Sequence, residues 1–399
     1  MTTSAERMRA WRGPAILSFG FRPFFLAGAA WAALSMALWL GMLTGALTLP
    51  THLDPVSWHA HEFLYGYLGA VAAGFLLTAV PNWTGRLPVV GWPLAGLAGL
   101  WLAGRVAMAV SGAMPPALAA AIDLAFPLAM TALLLREVVA GGNWHNLPVV
   151  GILALLLVGN AAFHWQAWED GYAARGPGLR LGLAAAVMLI ALIGGRIVPS
   201  FTRNWLVRAG HSARPAPPMG RFDKAALAML LGALLLWLGW PMAPATGVAL
   251  LLAGAMHLAR LARWSGGHTG AEPLVWVLHV GYAFVPAGAL ALGAAVLWPA
   301  LLAPAAAQHL WMAGAIGTMT LAVMTRATLG HTGQELRAGP GTVAIYLAVI
   351  AATLLRFASG WMPAWNTPIY WLVGALWLGA FAGFCVGYGA ALVQRRKAG

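Results

Sequence analysis

The chain is a succession of long apolar segments separated by short polar ones. These segments are broken by Pro, Gly and polar clusters and recur along nearly all 399 residues. A helix that crosses a bilayer needs roughly 20 apolar residues. The pattern therefore predicts twelve transmembrane helices, near residues 23–47, 55–80, 92–111, 116–138, 147–167, 180–199, 223–240, 244–264, 273–297, 303–328, 341–360 and 367–393.

The composition supports an all-α integral membrane protein. Hydrophobic residues make up 61% of the chain and charged residues only 8%, which is too few charges for the surface of a soluble domain of this size. Twelve spans leave no room for an extramembrane domain. The single cysteine, Cys385, excludes intramolecular disulfides, Cys-ligated clusters and covalent haem attachment through CxxCH. Any metal must therefore be held by His and carboxylate side chains.

The net charge of +13 lies mainly on one side of the predicted helices. Basic residues concentrate in alternate loops, and the positive-inside rule then places both termini in the cytoplasm. We expect a cytoplasmic segment 1–22 containing Arg7 and Arg9, a transmembrane domain 23–393, and a cytoplasmic tail 394–399. The basic loop 199–224 is interpreted as a topology signal, so the partners expected are membrane lipids and no nucleic acid.

Histidines form an outer layer within the predicted helices. Asp54-Pro55 is typical of an N-cap and first helical residue, so the second helix enters from outside with a His-x-His-Glu segment in its first turns. Pro304 opens the tenth helix from the same side. Burying imidazoles in lipid is unfavourable unless they gain a ligand or partner. The residues predicted at this depth are His59, His61, Glu62, His309 and, near the end of the fifth helix, His164.

Three further histidines form an inner layer. Glu272-Pro273 opens the ninth helix from the cytoplasm and places His279 about two turns inside it. His257 lies at a similar distance from the inner end of the eighth helix, and His331 follows the inner end of the tenth. His257 and His279 together could bind one planar cofactor or one ion, or each could be a buried histidine bonded to a backbone carbonyl.

The spacing of His59 and His61 limits the geometry of an outer site. Residues two apart on a helix project about 200° from each other, so one metal does not easily bind both. They could serve two centres on opposite sides of the helix, or a distorted first turn could bring them together. Glu62 is a candidate ligand, hydrogen-bond acceptor or proton carrier. The alternative is a set of interfacial polar residues beside Trp58.

Other polar groups within the helices have two interpretations each. Asp123 should pair or carry protons. Arg196 and Arg326 could bind haem propionates or an anionic substrate, or extend to lipid headgroups. Thr/Arg/Asn clusters recur at the inner ends of the second, sixth and tenth helices, a pattern that favours three four-helix units around a pseudo-threefold axis.

Several motifs resemble those of the NnrS family. The motifs cover most of the chain and are FRPFF at 21–25, WHAHE at 58–62, GFLLTAVPNWTGR at 74–86, GGRIVP at 194–199, TRN at 202–204, WVLHVGY at 276–282 and MTRATLGHTG at 324–333. The resemblance implies a multi-span bacterial inner-membrane protein that contains haem and copper and is linked to nitric oxide metabolism and nitrosative-stress resistance.

Together, the residues and the resemblance give a functional hypothesis. Haem would be non-covalent haem b with imidazole ligands, and copper also suits imidazole. We expect His59, His61 and His309 to ligate the outer centre or centres, with His257, His279, His331 and His164 as further candidate ligands, Arg196 and Arg326 binding the cofactor, and Glu62 managing protons.

Three functions stay open at this point. One is an oxidoreductase that consumes nitric oxide with electrons from a quinol or another donor. The second is a transporter or handler of haem or metal, for which Gly/Pro-interrupted helices would serve alternating access. The third is a nitric oxide sensor that binds the gas without turnover.

Overall fold

The computed structural model describes residues 11–395, and their regular elements are all helical. Arg7, Arg9, Arg396 and Lys397, on which part of the predicted orientation depends, lie outside the described residues. The helices are α1 Phe21–Leu43, α2 Pro55–Thr84, α3 Trp92–Ala109, α4 Pro116–Ala140, α5 Leu147–Asp170, α6 Pro177–Arg208, α7 Arg221–Gly239, α8 Pro244–Ala262, α9 Pro273–Leu297, α10 304–332, α11 Pro340–Ala358 and α12 Asn366–Val393.

Each predicted span corresponds to one of these twelve helices. Ten of them are long and apolar enough to cross a membrane. The other two are α3, which carries Arg105, and α10, which is interrupted by a π-helical segment. The prediction of an all-helical membrane protein with about twelve helices is thus confirmed. The pseudo-threefold arrangement stays a prediction.

Local sequence explains where the helices begin and end. Proline occupies the first turn of several helices, including α2 at Pro55 and α9 at Pro273, where its missing N–H costs no helical hydrogen bond. As expected, the Asp54 side chain caps α2, accepting hydrogen bonds from the amides of Val56 at 2.8 Å and Ser57 at 3.0 Å. Gly85 ends the same helix with a left-handed φ of 69°, which favours glycine.

Two helices contain a π-helical segment shortly after their N-terminus. In α2 it covers Glu62–Tyr67, directly after His61. In α10 it covers Leu310–Thr318, directly after His309. A π segment adds a residue to the turn and changes the direction of the side chains that follow, and such segments are frequent at functional sites.

The chain divides into two compact units, described separately below. The first unit contains the residues up to Ala185, residues 327–335 and those from Phe381 onward. Within it, α1 and α2 pack closely through glycines. A Cβ on Gly28 would lie 3.2 Å from the Val71 side chain, and one on Gly74 would lie 2.8 Å from Phe25. Small residues of this kind allow close helix packing in membranes.

The second unit contains Ala186–Arg326 and Leu336–Ala380. Helices α8 and α9 approach each other at their backbones, since a Cβ on Gly293 would lie 2.8 Å from the carbonyl oxygen of Gly247. On α6, Gly195 leaves room for the guanidinium of Arg260, which a Cβ would overlap. Arg260 is fully buried. Gly195, the second glycine of the Gly-Gly-Arg motif on α6, therefore serves the packing of Arg260.

We predict that Gly195→Ala destabilises the protein, because the added methyl must displace the buried guanidinium of Arg260. Overpacking of this kind costs about 1–3 kcal/mol. The measurement is thermal unfolding of the purified protein in detergent. Gly232→Ala is the matched control, since a Cβ at Gly232 on α7 meets nothing within 4 Å. Equal melting temperatures for the two variants would contradict this account of the motif.

Candidate metal centre

The start of α2 directs two histidines into different environments. The His59 ring stacks on Trp39 with a centroid distance of 4.2 Å and contacts Phe63 at 4.4 Å. His61 is fully buried and faces a group of polar side chains from α4 and α5. The two imidazoles therefore contact different residues. This agrees with the expectation that residues two apart on a helix project to opposite sides.

His61 is held at both ring nitrogens. Its Nδ1 lies 2.9 Å from Oε1 of Glu62. Its Nε2 lies 2.9 Å from Oδ1 of Asn160 and 3.2 Å from Oδ2 of Asp123. The Asn160 amide nitrogen donates to Asp123 Oδ2 at 2.7 Å, so the atom facing His61 is the amide oxygen. Both ring nitrogens therefore face acceptors, and the imidazole donates from both.

Asp123 on α4 is the central hydrogen-bond acceptor among the polar side chains around His61. Its Oδ2 lies 3.1 Å from Nε2 of His164 and accepts the amide hydrogen bond of Asn160. Its Oδ1 accepts a short hydrogen bond from Arg105 Nη2. The sequence predicted that Asp123 should pair inside the membrane, and the structure gives it these three partners in addition to His61.

Arg105 on α3 connects the two carboxylates. Its Nη1 donates to Oε2 of Glu62 at 2.6 Å, and the same oxygen accepts a 2.7 Å hydrogen bond from the indole of Trp31 on α1. Gly66 lies against the guanidinium, where a Cβ would overlap Nη1. A glycine in the π segment of α2 thus admits the arginine to the carboxylates.

The cluster is buried and electrically balanced. Glu62 and Asp123 contribute two negative charges, while Arg105 and a doubly donating His61 contribute two positive ones. Each of these four side chains is at most 4% exposed. Burying unpaired charge costs several kcal/mol per ion even after relaxation, so this neutrality is a condition for placing the cluster within α2–α5.

Three side chains of the cluster converge as a metal site would require. One ligand atom each of His61, Asp123 and His164 lies within 4.8 Å of the others. Two imidazoles and one carboxylate form a donor set that suits copper, zinc or non-haem iron. His164, placed in the outer layer by the sequence, is thus brought together with His61. We call His61, Glu62, Arg105, Asp123, Asn160 and His164 the polar cluster.

Two other predicted site residues, His331 and His309, are not members of the polar cluster. His331 is exposed and packs against the rings of Phe19 and Phe21, at centroid distances of 5.2 and 5.4 Å. His309, in the second unit, donates from its Nδ1 to the carbonyl oxygen of Ala305 at 2.6 Å. Its predicted role in the outer centre stays a prediction.

His257 belongs to a bonded network in the second unit. Its Nε2 lies 3.1 Å from the Ala226 carbonyl oxygen, and its Nδ1 lies 2.8 Å from the Tyr282 hydroxyl. Arg260 donates to the same hydroxyl at 2.7 Å and to Asp223 Oδ1 at 2.7 Å. Both ring nitrogens of His257 are therefore engaged within the protein, as in the alternative interpretation of a buried, hydrogen-bonded histidine.

His279 has one bonded nitrogen and one that lacks a hydrogen-bond partner. Thr202 donates its hydroxyl to the Val198 carbonyl at 2.8 Å, so it accepts from His279 Nε2, also at 2.8 Å. His279 is 8% exposed, and its Nδ1 is buried without a hydrogen-bond partner. A Cβ on Gly266 would lie 2.5 Å from that Nδ1. The acceptor lone pair of His279 is thus held in a fixed direction beneath a glycine.

The two predicted cofactor-binding arginines lie within helices and not at the helix ends expected from the sequence, because α6 continues to Arg208 and α10 to residue 332. The Arg326 guanidinium lies 4.2 Å from the centre of the Phe201 ring, a cation–π distance. Arg196 directly follows Gly195 on α6 and is partly buried. Their predicted contact with a cofactor stays a prediction.

The sequence reasoning missed Arg105 and Asn160 as members of the site. Arg105 lies within the third predicted helix and Asn160 within the apolar run of the fifth, and the sequence pattern assigns no role to either residue. A signal was present, since polar residues in the middle of a transmembrane helix face partners or cavities. The sequence reasoning also missed that His211 and His268 lie close together, with ring centroids 5.9 Å apart.

We predict that Arg105→Met strongly destabilises the fold, because Glu62 and Asp123 lose their shared cation. Removing one partner of a buried ion pair costs about 3–5 kcal/mol. Arg136→Met is the control, since the Arg136 side chain is 65% exposed in its pair with Glu137 and exposed pairs contribute roughly 1 kcal/mol or less. The free energy of unfolding of both variants is measured in detergent. Similar decreases would show that the buried ion pairs stabilise the protein no more than the exposed one does.

Comparison with known proteins identifies the family. The model of the NnrS protein family matches residues 15–396, nearly the whole chain. No curated individual protein matches the chain. The family match agrees with the twelve-helix membrane fold and with the motif resemblance, which includes the His-x-His-Glu segment at the start of α2. The chain therefore belongs to the NnrS family and is a nitric-oxide-related membrane protein.

Proposed function

We propose that the protein binds a copper ion at His61, Asp123 and His164 and that nitric oxide interacts with this centre in the bacterial inner membrane. The observation that carries the proposal is the convergence of these three ligand atoms within 4.8 Å in a buried site. Copper is the ion that the family resemblance implies, and imidazole ligands suit it.

The charges of the polar cluster fit a monovalent ion. With both imidazoles neutral, Glu62, Asp123 and Arg105 leave one net negative charge among side chains that are nearly inaccessible to solvent. One Cu(I) ion would balance that charge. A neutral site is the least costly one to bury in a low-dielectric interior, which favours copper in its reduced state.

Glu62 is proposed to orient His61 rather than to act as a ligand. Its Oε1 is placed at Nδ1 of His61, which leaves Nε2 as the nitrogen for an ion. A carboxylate behind a ligating imidazole fixes the ring and raises its basicity. Arg105 and Trp31 hold the other oxygen of Glu62. Bound copper would supply a coordination position and an accessible redox couple for nitric oxide.

Haem is assigned to the second unit in this proposal. His279 offers a buried Nδ1 without a hydrogen-bond partner, and its other nitrogen is bonded to Thr202. Histidines that bind metals have this arrangement, in which the second nitrogen donates to a fixed acceptor. His279 would be a ligand of non-covalent haem b once the turn at Gly266, whose backbone lies against Nδ1, moves aside, and Arg196 and Arg326 are the candidate partners of its propionates. Electrons would come from a quinol or another donor.

We predict that His61→Ala and His164→Ala each lower the copper content of the purified protein roughly tenfold or more, because each removes a ligand. Elemental analysis per mole of chain is the measurement, with insertion into the membrane checked separately. His145→Ala, at an exposed loop position, is the control. The variants His59→Ala and His309→Ala test the wider outer centre expected from the sequence.

The same preparations distinguish the proposed activities. Wild-type protein is reduced and exposed to nitric oxide without oxygen, and gas consumption is followed with an electrode. Turnover supports an oxidoreductase, and binding without turnover supports a sensor. Unchanged copper in both His61→Ala and His164→Ala would contradict the assignment of the centre, and a wild-type protein that contains neither metal nor haem would contradict the whole proposal.

We predict that His279→Ala removes the haem absorption bands while leaving the copper content unchanged, because the two proposed sites share no residue. Absorption spectra of oxidised and reduced protein provide the measurement. His268→Ala is the control, since His268 is exposed in the turn before α9. Full haem content in the His279→Ala variant would rule out this residue as an essential ligand.

A further inference from the structure

A small cavity lies next to the polar cluster in the first unit. It has a volume of about 50 Å³ and is lined by side chains of α2, α4 and α5. The lining includes Leu64, Leu76, Phe126, Met130, Leu156 and Asn160. The mechanism proposed above makes no use of this space.

Asn160 connects the cavity to the proposed copper ligands. Its side chain lines the cavity and is bonded to both His61 and Asp123 through its two amide atoms. The proposed ligand Asp123 and the cavity-lining residue Phe126 are also close on α4, where Phe126 lies one helical turn after Asp123. A molecule in the cavity would thus lie one side chain away from the centre.

The polar atoms of the lining are already engaged elsewhere. The Tyr65 hydroxyl donates to the Gly178 carbonyl at 2.8 Å, and the Thr131 hydroxyl donates to the Pro127 carbonyl at 2.8 Å. The Asn160 amide is bonded within the polar cluster. A buried water needs two to four polar partners. This lining therefore favours an apolar occupant over water.

Two residues explain why this space is open. Proline has no N–H, so Pro127 cannot bond to the carbonyl of Asp123 four residues earlier, and the α4 turn between them lacks one helical hydrogen bond. On α2, a Cβ at Gly69 would meet nothing within 4 Å. Both residues line the cavity. Two walls of the cavity, on α2 and α4, are therefore left less filled by these two residues.

The size of the cavity limits its occupant to a very small molecule. A cavity holds one water molecule when about 10–15 Å³ of it is open to a water-sized sphere, so this cavity has room for a diatomic gas molecule. A quinol or a lipid headgroup is many times larger than the 50 Å³ available. The combination of small volume, apolar walls and a neighbouring ligand cluster fits a neutral diatomic molecule.

We infer that this cavity is a binding pocket for a neutral diatomic gas, from which nitric oxide reaches the centre at His61, Asp123 and His164. The inference rests on the proposed function for the identity of the gas and of the centre. The pocket itself depends only on the lining residues, so its occupation by an apolar atom can be tested without any metal.

Gly69→Leu tests the pocket, because the new side chain grows from a cavity wall into open space. Gly99→Leu on α3 is the matched control, since a Cβ there also meets nothing within 4 Å and Gly99 does not line the cavity. The first probe is xenon, whose binding to the purified protein is followed by xenon NMR. The second is the association rate of nitric oxide, measured by stopped-flow absorption, with copper content determined in parallel.

Wild-type protein and Gly99→Leu should bind xenon, and Gly69→Leu should not. The association rate of nitric oxide should fall roughly tenfold in Gly69→Leu, since binding then requires a rearrangement, while its copper content stays at the wild-type level. Xenon binding that persists in Gly69→Leu, or an unchanged nitric oxide rate in that variant, would overturn the inference. A metal-free wild-type protein that still binds xenon at this site would refute the proposed function and leave the pocket supported.

Discussion

The fold depends on neutralising charged side chains that the helices bury. Each compact unit contains one such arrangement built on an arginine and an aspartate. In the first unit Arg105 joins Asp123 and Glu62, and in the second Arg260 pairs with Asp223 at 2.7 Å. An isolated charge in a low-dielectric interior is far too costly to keep, and Arg105 and Arg260 are each matched by a carboxylate on a neighbouring helix. This requirement fixes how α2–α4 and α7–α8 pack.

The same constraint explains the glycines beside these arginines. A guanidinium that must reach a carboxylate across a helix interface needs space at the backbone of the helix it passes. Gly66 gives this space to Arg105 and Gly195 gives it to Arg260. In both units a histidine joins the network, with His61 bonded to Asp123 and His257 bonded to the Tyr282 hydroxyl that Arg260 also contacts. Among residues 11–395, two imidazoles and a carboxylate converge only in the first unit.

The sequence could predict how deep each polar residue lies but not the direction in which it points. Hydropathy gave the twelve helices, and the Asp54-Pro55 start of α2 gave the depth of His61 and Glu62. Depth alone could not show that His61 meets His164 while His59 stacks on Trp39, because direction depends on packing and on the π segment after His61. It also could not separate His257, bonded at both nitrogens, from His279, bonded at one.

A ligand nitrogen that is already hydrogen-bonded can bind an ion only by exchange. Nε2 of His61 faces Asn160 and Asp123, so an ion there must replace a proton and two hydrogen bonds. The exchange costs least where the remaining contacts do not move, and Nδ1 of His61 keeps Glu62, which Arg105 and Trp31 hold in place. Asn160 is the residue that must give way, and it borders the cavity. An ion at the polar cluster would therefore leave the contacts at Glu62 in place and displace Asn160, which lies next to the space for a small molecule.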